Sequence, residues 1–234
     1  MERAVHQPEL LDGPLDARLL AGNLRDLVRA NRLLDGAELS WRALLAATHR
    51  GQGQPTTLSL LDVGTGAADI PRHLLRRAAA SALRLVITAT DVRSEIVDMA
   101  HSEVSEEADL GIEQADGERL PYRERSFDVV HCSLVLHHLE PAHVGAALAD
   151  MARVARRAVI VNELDRRRRW WLAAWLLSRL ATGNRYTRHD APLSVRRAYR
   201  PNEVSALAAQ VGLREVTRLW ARPAYRYAIV FVPA

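Results

Sequence analysis

Between residues 15 and 34 the apolar side chains recur at steps of three and four, with Leu20, Leu24, Leu27, Asn31 and Leu34 on one stripe. That spacing predicts an amphipathic helix. A second helix is expected from Glu38 to about Ala47, with Asp35-Gly36 as the punctuation between the two. "HRGQGQPTT" (49–57) reads as a linker, and after it the rhythm changes. Strands are expected at 58–63, 84–91, 111–115, 127–135 and 157–163, and helices at 70–80, 94–101 and 142–153. Strands separated by helices imply βαβ crossovers and a mostly parallel sheet.

The alternation breaks at 165–200, which reads as an arginine run, an apolar helix carrying Trp170, Trp171 and Trp175, and a polar loop. Pro201 suits a first helical position and Gly212 a C-terminal cap, so 201–211 is expected to be helical. Two β-rich stretches follow, 213–220 and 225–232, separated only by "ARPA". A gap that short permits only antiparallel pairing, so the sheet should end in a hairpin. The expected organisation is a helical extension (1–55) and one α/β domain (56–234) interrupted by the 165–200 insertion.

Composition narrows the setting. A chain of 234 residues, 48% hydrophobic and 26% charged, suits one compact core rather than a disordered segment. The one cysteine, Cys132, has no internal disulfide partner, and the N-terminus does not resemble an export signal, so a cytoplasmic location is expected. The apolar stretch "WWLAAWLLSRLA" (170–181) falls short of the roughly 20 residues a bilayer requires, so no transmembrane segment is expected. Net charge is +4, but 28 acids are interspersed among 32 bases, and the run Arg166 to Arg169 reads as a solvated approach to a helix. No nucleic-acid partner is expected.

The chemistry begins at "LLDVGTGAADIPRHLL" (60–75), a strand that turns through Gly64, Thr65 and Gly66 into a helix. Such a turn ordinarily welcomes an anion. Here Asp62 precedes it, and Asp69 stands where a dinucleotide fingerprint wants its third small residue. At ~4 Å and an effective dielectric of about 20, like unit charges repel by about 4 kcal/mol, so a diphosphate is disfavoured. A ligand with a cationic end, ammonium or sulfonium, is favoured, and S-adenosylmethionine has both. Asp91 ends the next strand, where a ribose diol needs an acceptor, and Asp116 and Gly117 follow the third, where an adenine edge would lie.

In order and spacing, "LLDVGTGAAD", Asp91, "QADGERLPY" and "SFDVVHCSLVLHHLE" (126–140) resemble the class I S-adenosylmethionine-dependent methyltransferases. The resemblance covers about 57–165 plus the C-terminal hairpin, and Ala68 departs from it where a third glycine is frequent. Within the family the chain is similar to bacterial small-molecule enzymes, those of quinone biosynthesis and polyketide pathways, with "RHDAPLSVRRAYRPNEV" (188–204) adding to that likeness. The resemblance implies a Rossmann-like, doubly wound, mostly parallel sheet of seven strands. It also implies S-adenosylmethionine as cofactor, S-adenosylhomocysteine as product, and cofactor contacts that include Val92 and Ser133. The 1–55 extension and the 165–200 insertion, as lid or pocket wall, would then shape the site for a small aromatic, quinone-like or polyketide-like acceptor, methylated at oxygen or activated carbon.

Methyl transfer from a sulfonium rests largely on positioning, and a base adds typically 10²- to 10⁴-fold for a phenol or enol. His137 and His138 follow the fourth strand beside the expected switch point and are the candidate bases, with His138 preferred. Glu163, at the end of the fifth strand, and His189 and Arg197, in the polar loop, are candidate substrate contacts; no metal is expected. The tryptophan helix is read as a lid or as a homodimer contact in preference to a membrane-surface helix, since the four arginines form a run rather than a polar helical face. Three rivals remain open: a non-catalytic S-adenosylmethionine-binding scaffold, a nucleic-acid methyltransferase, disfavoured by "CSLVLHHL" where a base-flipping enzyme places an Asn/Asp-Pro-Pro-aromatic stretch, and a nicotinamide dehydrogenase, disfavoured by Asp69.

Overall fold

The computed structural model describes residues 1–48, 57–81, 83–104 and 107–233. The linker read at 49–57 lies outside these apart from Thr57. After a short 3-10 turn at Leu10–Asp12, helices α1 (Ala17–Leu33) and α2 (Gly36–Thr48) precede the sheet. Then β1 (Thr57–Val63), α3 (Asp69–Ala79), β2 (Arg84–Asp91), α4 (Ser94–Val104), β3 (Leu110–Gln114) and β4 (Phe127–Ser133) alternate as the periodicity predicts. They are followed by α5 (Pro141–Val154), β5 (Ala155–Leu164), α6 (Arg168–Ala181), α7 (Arg185–Arg197), α8 (Pro201–Gln210), β6 (Leu213–Trp220) and β7 (Arg226–Pro233).

The seven strands lie in the order β3-β2-β1-β4-β5-β7-β6. The first five are mutually parallel, and β7 runs antiparallel to both β5 and β6. The order reverses between β1 and β4, so their C-terminal ends open a crevice at the switch point. Strand periodicity divides the core in two. Leu58, Leu60, Ile87 and Ile160 face α2, α3 and α4, while Leu61, Val63, Val159 and Phe231 face α5 and α8. Sheets covered on both faces read as near-continuous apolar runs, which is how β1 and β5 read.

Three local expectations are corrected. The polar loop after the tryptophan helix is helix α7, entered through Asn184, whose side chain accepts from the backbone N–H groups of Tyr186 and Thr187. Its buried stripe is Tyr186, Asp190, Leu193 and Arg197, spaced as a helix requires but half charged, so hydrophobicity alone hides it. The second helix begins two residues before the expected Glu38: the break falls at Asp35, which takes the left-handed conformation (φ 63°), and Gly36 opens α2. A Cβ on Gly36 would stand 2.5 Å from Arg226 Nη1, so the glycine admits a guanidinium. The arginine run is not uniformly solvated, since Arg166 is buried against Glu203.

Candidate active site

A cavity of ≈ 710 Å³ lies at the switch point, within the range of about 300–1,000 Å³ typical of small-molecule sites. Its floor is the turn after β1. Gly64 (φ 71°) and Gly66 (φ 56°) are left-handed, and a Cβ on Gly64 would meet Val135 Cγ2 at 2.4 Å. Ala68 takes the same conformation (φ 54°), which explains why a glycine is frequent there and shows that a methyl group is accommodated. Thr65 lines the cavity with its hydroxyl buried and without a hydrogen-bond partner among the described residues. An orphaned hydroxyl in a cavity wall is a group waiting for a ligand.

Asp91 ends β2 and accepts from the N–H groups of Gly66 (3.2 Å) and Arg93 (3.1 Å), which aim its carboxylate along the cavity wall. Burial pushes its pKa up, more than those two donors hold it down. Val92 beside it is 55% exposed although it lines the cavity, an apolar face without cover. Asp116 and Gly117 stand across from it, with Asp116 accepting from the Glu118 N–H, and a Cβ on Gly117 would approach Val63 Cγ1 to 2.8 Å. Asp69 lines the other side; burial raises its pKa, while Asn31 donates to it at 3.0 Å.

Asp62 is 2% exposed and holds His131 Nδ1 at 2.6 Å, with Ser40 Oγ on His131 Nε2 at 2.9 Å. Asn162 donates to the same Ser40 oxygen, and Arg226 Nε donates to Asn162. Arg226, itself 1% exposed, also donates to Asn31 and to the hydroxyl of Ser133. A continuous buried network thus joins the first acid of the glycine turn to β4, β5, β7 and the two N-terminal helices. Sequence reasoning misses His131 and Arg226. The signal for His131 is present, a lone polar residue inside an apolar strand that sits opposite Asp62 in register. Arg226, as the first residue of a strand, gives none.

At the far end, His6, Gln7, Pro8, Leu11 and Asp12 of the N-terminal segment line the cavity together with His138 and Arg197. Arg197 is buried and fastens this wall, donating to the carbonyls of His137 (2.9 Å) and His138 (2.8 Å) and to Asp12 (2.6 Å). His138 Nδ1 stands 2.8 Å from Asp12 Oδ1. Burial would lower the His138 pKa, but the carboxylates of Glu9 and Asp12 outweigh it and hold it up to about 9. The two carboxylates thus favour the charged form of His138 in the ligand-free chain. Asp12, penalised by burial, is held well below the usual range by His138.

Three expected contacts lie elsewhere. His137 is 2% exposed and does not line the cavity; its Nδ1 and its backbone N–H both meet the Glu163 carboxylate. Glu163 does not open onto the mouth: it is fully buried, and His137 outweighs the penalty of burial to hold its pKa down. His189 points outward from α7, half exposed, toward Asp190, whose carboxylate caps Leu10 and Leu11. Helix α6 contributes nothing to the cavity lining, and Leu172, Leu176 and Leu180 on it face solvent. Cys132 is buried, with a thiol pKa well above its ordinary value, so it is core rather than nucleophile.

Residues 60–158 match the methyltransferase domain family. A demethylmenaquinone methyltransferase of Deinococcus radiodurans is 30% identical over 126 residues, which are 53% of this chain and 48% of that protein; the chain spans about half the length of this curated relative. A SAM-dependent methyltransferase from Aquifex aeolicus superposes with a TM-score of 0.65 at 18% identity over 93% of this chain and 98% of that one. An O-methyltransferase family 2 protein from Planctomyces limnophilus, in complex with apigenin, gives 0.65 at 16% over 94% and 62%. The strand order, the glycine turn with its acids and the match over residues 60–158 agree on a methyltransferase domain of Rossmann-like fold in that part of the chain.

Proposed function

We propose that this chain transfers a methyl group from S-adenosylmethionine to a small aromatic or quinone-like acceptor, at oxygen or at an activated carbon. The observation that carries the reading is one cavity with two chemically distinct ends. One end has the acid-flanked glycine turn, the orphaned Thr65 hydroxyl and the Asp91 carboxylate; the other has His138, Asp12 and Arg197. When bound, the cofactor supplies a methyl group on a sulfonium, already a good leaving group.

The residues of the chain divide accordingly. Asp91, held by two backbone donors, keeps acceptor capacity for a ribose diol. Val92 and Ile96 offer apolar cover and Asp116 a polar edge to the base. Asp62 and Asp69 favour the cationic end and disfavour a diphosphate. Arg197 fixes the backbone of His137 and His138, so His138 is positioned by main-chain contacts before any acceptor arrives. The named activity of the Deinococcus relative and the apigenin bound to the Planctomyces protein support a flat, oxygen-bearing acceptor.

The test is turnover, read as S-adenosylhomocysteine released with a panel of hydroquinones and phenols. The expected result is release with at least one acceptor, and a kcat lower by roughly 10- to 100-fold in His138→Ala, the loss of one charge-assisted hydrogen bond to the acceptor oxygen, with cofactor affinity unchanged. Cofactor binding without turnover on any acceptor would make the chain a binding protein. Unchanged turnover in the variant would remove His138 from the reaction.

A further inference from the structure

Glu9, His137 and His138 form a cluster that cofactor binding does not use. Each offers one ligand atom, and these three atoms lie within 4.8 Å of one another. Both histidines have the Nδ1 edge engaged by a carboxylate: His137 meets Glu163 at 2.8 Å and His138 meets Asp12 at 2.8 Å. This fixes the rings and turns both Nε2 edges toward the Glu9 carboxylate. His137 Nε2 is 3.7 Å from Glu9 Oε1, and His138 Nε2 is 3.9 Å from Glu9 Oε2. Both distances are too long for hydrogen bonds.

Glu9 is 4% exposed, and its Oε1 is buried with no hydrogen-bond partner among the described residues. The Arg197 Nε nearest to it is 4.0 Å away and donates instead to the His137 carbonyl. A buried carboxylate oxygen left without a partner is costly, and packing alone does not call for a carboxylate at this point.

We infer that Glu9, His137 and His138 bind one divalent transition-metal ion, Zn²⁺ by ligand type, through the two Nε2 atoms and a Glu9 carboxylate oxygen. Zn–N and Zn–O bonds of about 2.0–2.2 Å in a tetrahedron set ligand atoms roughly 3.4 Å apart. The contacts from His137 Nε2 to Glu9 Oε1 (3.7 Å) and from His138 Nε2 to Glu9 Oε2 (3.9 Å) exceed that spacing by only a few tenths of an ångström, each on its own carboxylate oxygen. A carboxylate behind each ligating imidazole is the usual outer shell of such a site. Three protein ligands leave a fourth position, and His138 and Asp12 line the cavity, so that position opens on the acceptor end. Resting on the methyl-transfer reading, the ion would take an acceptor oxygen there and favour its deprotonated form.

The test uses the full chain stripped with a chelator, then titrated with Zn²⁺ by calorimetry and with Co²⁺ by visible absorption. The expected result is one equivalent per chain, with the intense d–d bands of a low-coordinate cobalt site. Glu9→Gln should abolish those bands, and Asp12→Asn, which leaves every ligand in place, should weaken affinity about 10- to 100-fold. His189→Ala, at the half-exposed histidine outside the cluster, should leave it unchanged. Should Glu9→Gln not fold, as judged by circular dichroism, His138→Gln gives the same readout. No stoichiometric binding in large metal excess, or equal affinity in Glu9→Gln, would overturn the site. S-adenosylmethionine titration of the metal-free chain tests the methyl-transfer reading separately.

Discussion

Gly64 and Ala68 adopt the same left-handed backbone within one motif, yet the two positions respond to a side chain in opposite ways. At Gly64 a methyl group would collide with the branched Val135, which immediately precedes the 3-10 turn Leu136–His138 that carries the histidines. The His138 N–H donates to the Val135 carbonyl at 3.0 Å, so a displaced Val135 would also displace the acceptor-facing wall. Gly64→Ala should therefore lower stability by about 1–3 kcal/mol and weaken cofactor binding. Ala68→Gly should stay within about 1 kcal/mol of the parent, because relief of a left-handed residue, worth roughly 1–2 kcal/mol, is offset by the loss of one buried methyl group. Urea denaturation of both variants checks the pair, and a stabilised Gly64→Ala would contradict the assigned geometry. The same scale shows what a sequence hides. Asp62, Asp91 and Asp116 are legible because each ends a strand or opens the turn after one. Glu9 and Asp12 are not, since "PELLDG" has no periodicity and acquires its place only when Asp190 and Arg197, far along the chain, fasten it.

At the scale of elements, the strands and helices from β1 to β5 are readable because the strands alternate with helices that carry an apolar stripe, and the central strands are apolar on both faces. Helix α7 is not readable, because Asp190 and Arg197 occupy half of its buried stripe and satisfy the N-terminal segment there. Strand β4 ends at Ser133, two residues before the expected end, where Leu134 turns the chain at φ 59°. The elements around the cofactor turn are joined by Arg226, which reaches from β7 to Asn162 on β5, Ser133 on β4 and Asn31 on α1. Replacing it removes the donor from three buried or partly buried acceptors at once. Arg226→Met, similar in length, should cost about 3 kcal/mol or more, against which the recovered apolar burial is a partial offset. Thermal unfolding followed by circular dichroism measures it, and a variant as stable as the parent would show that the network is not holding these elements.

For the molecule as a whole, the sheet places everything needed for a cofactor at the reversal of strand order, and the helical segments before and after it supply the other wall of the cavity. Among the described residues no helix is long and apolar enough to cross a membrane. If the acid-flanked turn and Asp91 select S-adenosylmethionine over a diphosphate cofactor, the chain must bind the two differently. Calorimetric titration with S-adenosylmethionine, S-adenosylhomocysteine and NAD, on the parent chain and on Asp91→Ala, tests it most directly. Saturable binding of the first two is expected, one per chain, weakened roughly 10- to 100-fold in the variant by the loss of hydrogen bonds to a charged acceptor. Preference for NAD, or equal affinity in Asp91→Ala, would contradict it.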